Sequence, residues 1–383
     1  METKETHTLD DLSTGYKLYI KKDMGNGVEN IKAEILGVKN RNGKEFYVHY
    51  INFNRRLDEW LSGDSFLLDT VEVPKKRKKS YVKKSKSSLD VIKSVVKEDE
   101  YALADTPNKS EEYKLKVIDK LHIKDKVIDT WYFSPYPEDI TGTIYLCSFC
   151  LFYFQDRSKL QVHECHLRHP PGNEIYRKDN LSFYELDGHV QKNYCRNLSL
   201  LSKLFLDHKT LFYDVDPFMF YVLCRLEKDG YHIVGYFSKE KVCSQGFNLA
   251  CLLVLPYEQR MGYGKILIDF SYLLSKKENV IASPEKPLSD LGLIGYLSYW
   301  KEAILEVMEV SANGISVEEI STKTAITVED VFNTLIYYKM VKFYDGELIF
   351  VKDRDAKPRK YKVDAKYLKW KGHAFNQNLL RLL

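Results

Sequence analysis

The chain has 383 residues, 44% of them hydrophobic, and carries 58 Lys and Arg against 54 Asp and Glu, a net charge of +4. That length predicts two or three domains with real cores. The polar, acidic opening METKETHTLDD shows no secretory leader. The longest apolar runs are too short to span a bilayer, and seven unevenly spread cysteines do not suggest a disulfide framework. The expectation is an intracellular, soluble protein without a membrane role.

In chain order, residues 11–72 read as short strands. Ile31–Val38 and Phe46–Tyr50 flank Asn42-Gly43, a strong hairpin-turn signal. Phe46, Val48 and Tyr50 share one face of their strand, with Tyr47 and His49 on the other. Phe53 and Trp60 follow, and a small β-barrel is predicted. Residues 73–107 read as a basic, disordered linker. It holds Lys75, Lys76, Arg77, Lys78, Lys79, Lys83, Lys84 and Lys86 with no acid among them. Without these eight, 50 basic residues face 54 acidic ones, so the positive balance lies in this segment. PKKRKK fits a nuclear-import signal or a nucleic-acid patch.

Cys147 and Cys150 form a CxxC, and His163, Cys165, His166 and His169 follow. A C-x₂-C knuckle with a later His is zinc-site spacing, and a closed set of four ligands makes the metal structural. The alternative keeps the two cysteines as core residues.

Leu249–Leu255, ended by Pro256, predicts a strand buried on both faces. Gln259, Arg260, Met261, Gly262, Tyr263 and Gly264 form a turn whose glycines let backbone N–H groups approach an anion. Ile266, Leu267, Phe270, Leu273 and Leu274 then recur at helical spacing. The helix N-terminus points unpaired N–H groups and a positive dipole end over the turn, and Arg260 and Lys265 add full charges. This order builds a pyrophosphate cradle. Cys251 in the strand and Glu285 beyond the helix add the groups of an acyl-transfer site. A lysine amine is mostly protonated at neutral pH, so a base must take its proton, and a carboxylate of raised pKa suits that task.

Beyond residue 300, SVEE at 316–319 and TVED at 327–330 carry helix-start signals. Val328–Lys339 predicts an amphipathic helix. Asp345-Gly346 joins Val341–Tyr344 to Glu347–Val351 as a hairpin. Two helices and a hairpin resemble a winged helix, which raises the rival reading of a non-catalytic chromatin or DNA-binding protein. Glu329 and Asp330 at the second helix's start oppose phosphate binding there and favour a structural role.

The motifs NLAC, LP, QRMGYGK, SPEKPLSDLG and SYW resemble, in order and spacing, the signatures of the MYST family of lysine acetyltransferases, a branch of the GNAT superfamily. LFLDHKTLFYDVDPFMFYVL and RHPPGNEIYRKDNLSFYELDG extend the resemblance, which covers roughly residue 113 to the C-terminus. FYVHYINFNRRLDEW is similar to the chromo-barrel (Tudor-knot) module ahead of some MYST domains. In related modules an aromatic cage holds methyl-lysine by cation–π attraction. The resemblance implies an α+β multidomain fold: chromo-barrel (11–72), linker (73–107) and acetyltransferase domain (108–383). The last comprises a zinc finger (140–170), a GNAT-like α/β acetyl-CoA core (171–300) and a winged-helix-like region (301–383).

It further implies Glu285 as general base and Cys251 as active-site cysteine, either accepting the acetyl group or merely lining the site. Leu252, Leu253 and Val254 would offer backbone to the pantetheine arm, Gln259 to Lys265 would cradle the pyrophosphate, and Ser289 and Ser298 would add cofactor contacts. The finger would be Cys-Cys-His-Cys, though His163 and Cys165 are separated by one residue where the family has three. CHLRHPPG favours Cys165 as fourth ligand, with His166 the alternative. Lys209 matches an autoacetylated lysine. The partners implied are acetyl-CoA, Zn²⁺, histones or nucleosomes (histone H4 above all) and the subunits of a nuclear multisubunit complex. The linker would make a nucleic-acid contact.

Overall fold

The structure, a computed structural model, describes residues 7–25, 27–40, 43–74, 115–311, 314–344, 347–350 and 361–372. It forms two compact units, Met1–Lys116 and Val117–Leu383. The eight linker cations and the turn residues Asn42, Asp345 and Gly346 lie outside the described residues.

In the first unit, β1 (Lys17–Asp23), β2 (Val28–Asn40), β3 (Lys44–Tyr50), β4 (Glu59–Leu61) and β5 (Phe66–Glu72) form one antiparallel sheet in the order β4-β3-β2-β1-β5. Alternation along β3 sends Phe46, Val48 and Tyr50 into a core with Leu18, Ile20, Ala33 and Ile35. On the other face the Tyr47 ring packs on Trp60 at 5.3 Å between centroids. The cation over Trp60 is the chain's own Lys39, with Nζ 4.2 Å from the ring centre.

The second unit starts with β6 (Ile118–Ile123), β7 (Lys126–Asp129), β8 (Gly142–Leu146) and β9 (Tyr153–Phe154), a sheet in the order β7-β6-β8-β9, followed by the short α1 (Arg157–Gln161). The central sheet contains β10 (Asn173–Lys178), β11 (Leu181–Asp187), β12 (Phe218–Glu227) and β13 (Gly230–Glu240), with α2 (Lys192–Lys203) inserted after β11. Period-2 alternation on β12 feeds two cores. Phe220, Val222 and Cys224 pack with Leu198 and Leu201 of α2. Tyr221 and Leu223 face the other side and pack with the helix that follows the glycine turn.

The strand predicted over 249–255 is broken. β14 (Phe247–Leu249) pairs in parallel with a two-residue β16 (Ser283–Pro284). β15 (Cys251–Val254) pairs antiparallel with β13 and ends the order β10-β11-β12-β13-β15. The break is a division of hydrogen bonds between two partners. Leu249 O accepts from Glu285 N at 2.8 Å, whereas Ala250 N donates to Ser238 O on β13 at 2.8 Å. The expected burial on both faces also fails: Leu249, Leu253 and Leu255 are buried, but Cys251, Leu252 and Val254 are only half-buried.

α3 (Tyr263–Glu278) follows the turn and buries Leu267, Phe270 and Leu274 against the sheet, with Phe270 stacked on Phe183 at 3.7 Å. α4 (Asp290–Glu309), α5 (Val317–Thr324) and α6 (Val328–Tyr337) pack beside α3, and the β17 (Val341–Tyr344) and β18 (Glu347–Phe350) hairpin completes the helix–helix–hairpin group. Ser316 and Glu319 form a capping box at α5, and Thr327 caps α6. Residues 361–372 return to the central sheet, where Lys369 N donates to Ile175 O at 2.7 Å. Among the described residues no helix is long and apolar enough to cross a membrane.

Candidate active site

A buried cation lies beside the broken strand. Lys209, only 9% exposed, donates from Nζ to Cys251 Sγ at 3.7 Å, and it also faces Tyr236. The Tyr236 hydroxyl in turn donates to Ser202 Oγ at 2.8 Å. Burial pulls the Lys209 ammonium down, but Tyr236 and Cys251 outweigh it and hold its pKa above the usual lysine value. Lys209 is therefore no ordinary surface lysine. Its neighbours are Tyr236 and Cys251.

Glu285 reaches the same place by backbone pairing, because its N–H is held by Leu249 O, two residues before Cys251. The residue is open to solvent. Its carboxyl nevertheless sits above the usual carboxylate range, first through partial desolvation and then through Glu240, with Lys209 acting the other way. A base of raised pKa is what proton removal from an amine needs. Lys286, next in the chain, pairs with the buried Asp330 of α6 at 3.1 Å. The acid that argued against phosphate binding thus ties the helical region to the loop that carries Glu285.

β15 is the sheet's edge strand, so among the described residues one edge of Leu252, Leu253 and Val254 carries no strand partner. The Val254 carbonyl accepts from Gln259 Nε2 at 3.1 Å, which fastens the turn to the strand. Arg260 (φ 62°) and Gly262 (φ 91°) are left-handed, and Gly262 is the N-cap of α3. A Cβ at Gly262 would collide with the Tyr361 ring, while one at Gly264 would meet only Val254 at 3.9 Å. Arg260 and Met261 are exposed, and Tyr263 begins α3. Lys265, read as a charge for the pyrophosphate, pairs with Glu302 of α4. Ser289 caps α4, accepting from Gly292 N at 3.1 Å, and Ser298 lies half-buried on that helix.

The metal candidates resolve by where α1 stops. It ends at Gln161 with Val162 as its C-cap, so His163 and Cys165 need not share a helix face. Ligand atoms of Cys147, Cys150, His163 and Cys165 all lie within 4.8 Å of one another, whereas His166 is exposed. Three soft sulfurs and one imidazole are a zinc donor set. A second group, Glu227, Asp229 and His232, has similar spacing. There the ammonium of Lys124 already sits among the ligand atoms, 3.2 Å from His232 Nε2 and 3.8 Å from Asp229.

An edge strand beside a glycine turn and helix, a half-exposed cysteine and a carboxyl of raised pKa are the parts that an acyl-transferring enzyme needs, and the cysteine–histidine cluster is that of a zinc finger. Comparison with known proteins agrees. The MOZ/SAS family pattern matches residues 169–377, the MYST family zinc finger domain matches 115–166, and the RNA binding activity-knot of a chromodomain matches 12–68. The histone acetyltransferase ESA1 of Saccharomyces cerevisiae is 39% identical, over 99% of this chain and 97% of its own length. ESA1 of Yarrowia lipolytica is 41% identical over 97% and 92%. Histone acetyltransferase of the MYST family 2 from Arabidopsis thaliana is 43% identical over 86% and 78%. The chain belongs to the MYST family of histone acetyltransferases. Acetyl-coenzyme A is the acyl donor of that family and zinc its structural ion.

Proposed function

We propose that this enzyme acetylates lysines of histone tails, histone H4 first among them, within a multisubunit complex in the nucleus. The observation that carries the reading is the convergence of Cys251, Lys209 and Glu285 at a broken strand whose free edge leads to the glycine turn. Gln259–Lys265 would hold the pyrophosphate of acetyl-CoA and Leu252–Val254 its pantetheine arm, with Ser289 and Ser298 adding contacts. Glu285 takes the proton from the lysine ε-amine. The nitrogen attacks the thioester carbon, the carbon–sulfur bond breaks, and the thiol of coenzyme A leaves. Cys251 supports this direct attack; transient acetylation of its sulfur is the variant of the same chemistry. Lys209 is modified by the enzyme itself, with Glu285 as the base for that step too.

The zinc ligands are Cys147, Cys150, His163 and Cys165. The domains run 11–72, 73–107 and 108–383, the last divided at 140–170, 171–300 and 301–383, and the linker contacts nucleic acid. The barrel ahead of finger and core supports a chromatin substrate over a small amine.

Nucleosomes incubated with the enzyme and acetyl-CoA, mapped by mass spectrometry, are expected to carry new acetyl groups chiefly on the H4 tail. Lys209 is expected to be acetylated in the wild type and not in Glu285→Gln from the same host. Unmodified histones would overturn the substrate, and equal Lys209 modification in both would overturn self-acetylation. Elemental analysis is expected to find one zinc per chain, lost in Cys165→Ser and kept in His166→Ala; the reverse would exchange the fourth ligand.

A further inference from the structure

The turn Gln259–Gly262 holds two left-handed residues, Arg260 and Gly262. At Arg260, a non-glycine residue, such backbone persists only where the surroundings over-determine it. Its two ends meet one side chain. Glu258, the last residue of the short 3₁₀ turn Pro256–Glu258, directly precedes it, and Tyr263, the first residue of α3, directly follows it. The Arg225 guanidinium donates to both oxygens of Glu258 at 2.8 Å, to Glu227 Oε1 at 3.0 Å and to the Tyr263 hydroxyl at 3.4 Å.

Glu258 is only 5% exposed, and a buried carboxylate demands such a fork-shaped partner. Arg225 stands on β12, an inner strand paired with Leu181 on one side and His232 on the other, so its base is rigid. Glu227 also pairs with Lys124 of the finger's sheet, between β6 and β7. The chain of ion pairs thus runs from the zinc-finger module to the cofactor turn.

We propose that Arg225 is a positioning residue for acetyl-CoA. By fixing the distance between the two ends of the turn, it holds the backbone N–H groups of Arg260–Gly264 in the shape that receives a pyrophosphate. It does not touch the reacting atoms. This rests on the reading of that turn as the cradle, and it implies that Arg225 matters only for donors that carry a pyrophosphate.

The test compares acetyl-CoA with acetyl-pantetheine, which has the same thioester and no pyrophosphate, using the full chain and a histone peptide. Lys cannot reproduce the fork of Arg. Arg225→Lys is expected to raise KM for acetyl-CoA roughly tenfold to a hundredfold, to leave kcat nearly unchanged, and to leave kcat/KM for acetyl-pantetheine unchanged. Equal losses with both donors, or no loss with either, would overturn the proposal. If Arg225→Lys fails to fold, the charge-free pair Arg225→Met with Glu258→Leu leaves no unpaired buried ion and is read by the same criteria. Gly262→Val, assayed in parallel, separates the two ideas. An unchanged KM for acetyl-CoA there would refute the cradle itself; a raised KM there with none in Arg225→Lys would refute only the positioning role.

Discussion

The turn Gln259–Gly264 and the loop Ser283–Ser289 flank the same broken strand, yet they are held by different means. The turn is shaped from within, by left-handed backbone at Arg260 and Gly262 and a helix that starts at once. On the function proposed above it would recognise its ligand through backbone N–H groups, so few of its side chains would need a fixed direction. The loop is shaped from outside. Its entry is a two-residue strand beside β14, its exit is the Ser289 cap of α4, and Lys286 is tied to Asp330 on α6. It presents one side chain, Glu285, which as the proposed base would need a set protonation state as well as a set place. On that reading binding would be built on backbone geometry and chemistry on tertiary packing.

The sharpest break of this comparison is Glu285→Gln. It is expected to lower transfer at neutral pH by roughly 10²–10⁴-fold while leaving coenzyme A affinity near normal. Wild-type activity should rise with pH as the carboxyl, raised above 4.5, loses its proton. Full activity of the mutant at pH 7 would remove Glu285 from the mechanism. For stability the sign is opposite. The folded pKa lies above the unfolded one, so Glu285 contributes stability below the unfolded value that is lost as pH rises through the folded one. Thermal melts at pH 7 should therefore find Glu285→Gln no less stable than the wild type.

The turn is broken at Gly262. Valine there meets both a positive φ and the Tyr361 ring, and a β-branched residue in left-handed backbone costs about 1–3 kcal/mol. Calorimetry is expected to show coenzyme A affinity reduced by about tenfold or more, with the domain still folded. Gly264→Ala, whose Cβ would meet only Val254 at 3.9 Å, should bind nearly as the wild type. Unchanged affinity in Gly262→Val would mean that the turn is not the cradle.

The smallest expected effect sharpens the contrast. Lys286→Met removes the tie from the Glu285 loop to α6, while Asp330 keeps Thr327 as a partner. Its kcat should fall by less than about tenfold, because the pair is partly exposed, with KM for acetyl-CoA unchanged. A rise in that KM with kcat intact would show that the loop serves binding instead.

The local units were legible in the order of residues. Alternation at Phe46, Val48 and Tyr50 made the barrel face, the spacing of Leu267, Phe270 and Leu274 made α3, and the glycines marked the turn. Each depends on neighbours within a few positions, where strand and helix periods are written directly into the chain. The motifs also carried the family, through a resemblance rather than a derivation. Only the tertiary structure decided that the strand breaks at Ala250, because two partners on different sides divide its hydrogen bonds. It likewise decided that Lys209 meets Cys251, Arg225 meets Glu258 and Lys286 meets Asp330, across 42, 33 and 44 residues. No local pattern encodes these pairs, since a charged side chain reads the same whether it faces water or a buried partner. The fourth member of the cysteine–histidine cluster stayed open for the same reason. The spacing allowed Cys165 or His166, and in the fold Cys165 lies with Cys147, Cys150 and His163 while His166 is exposed.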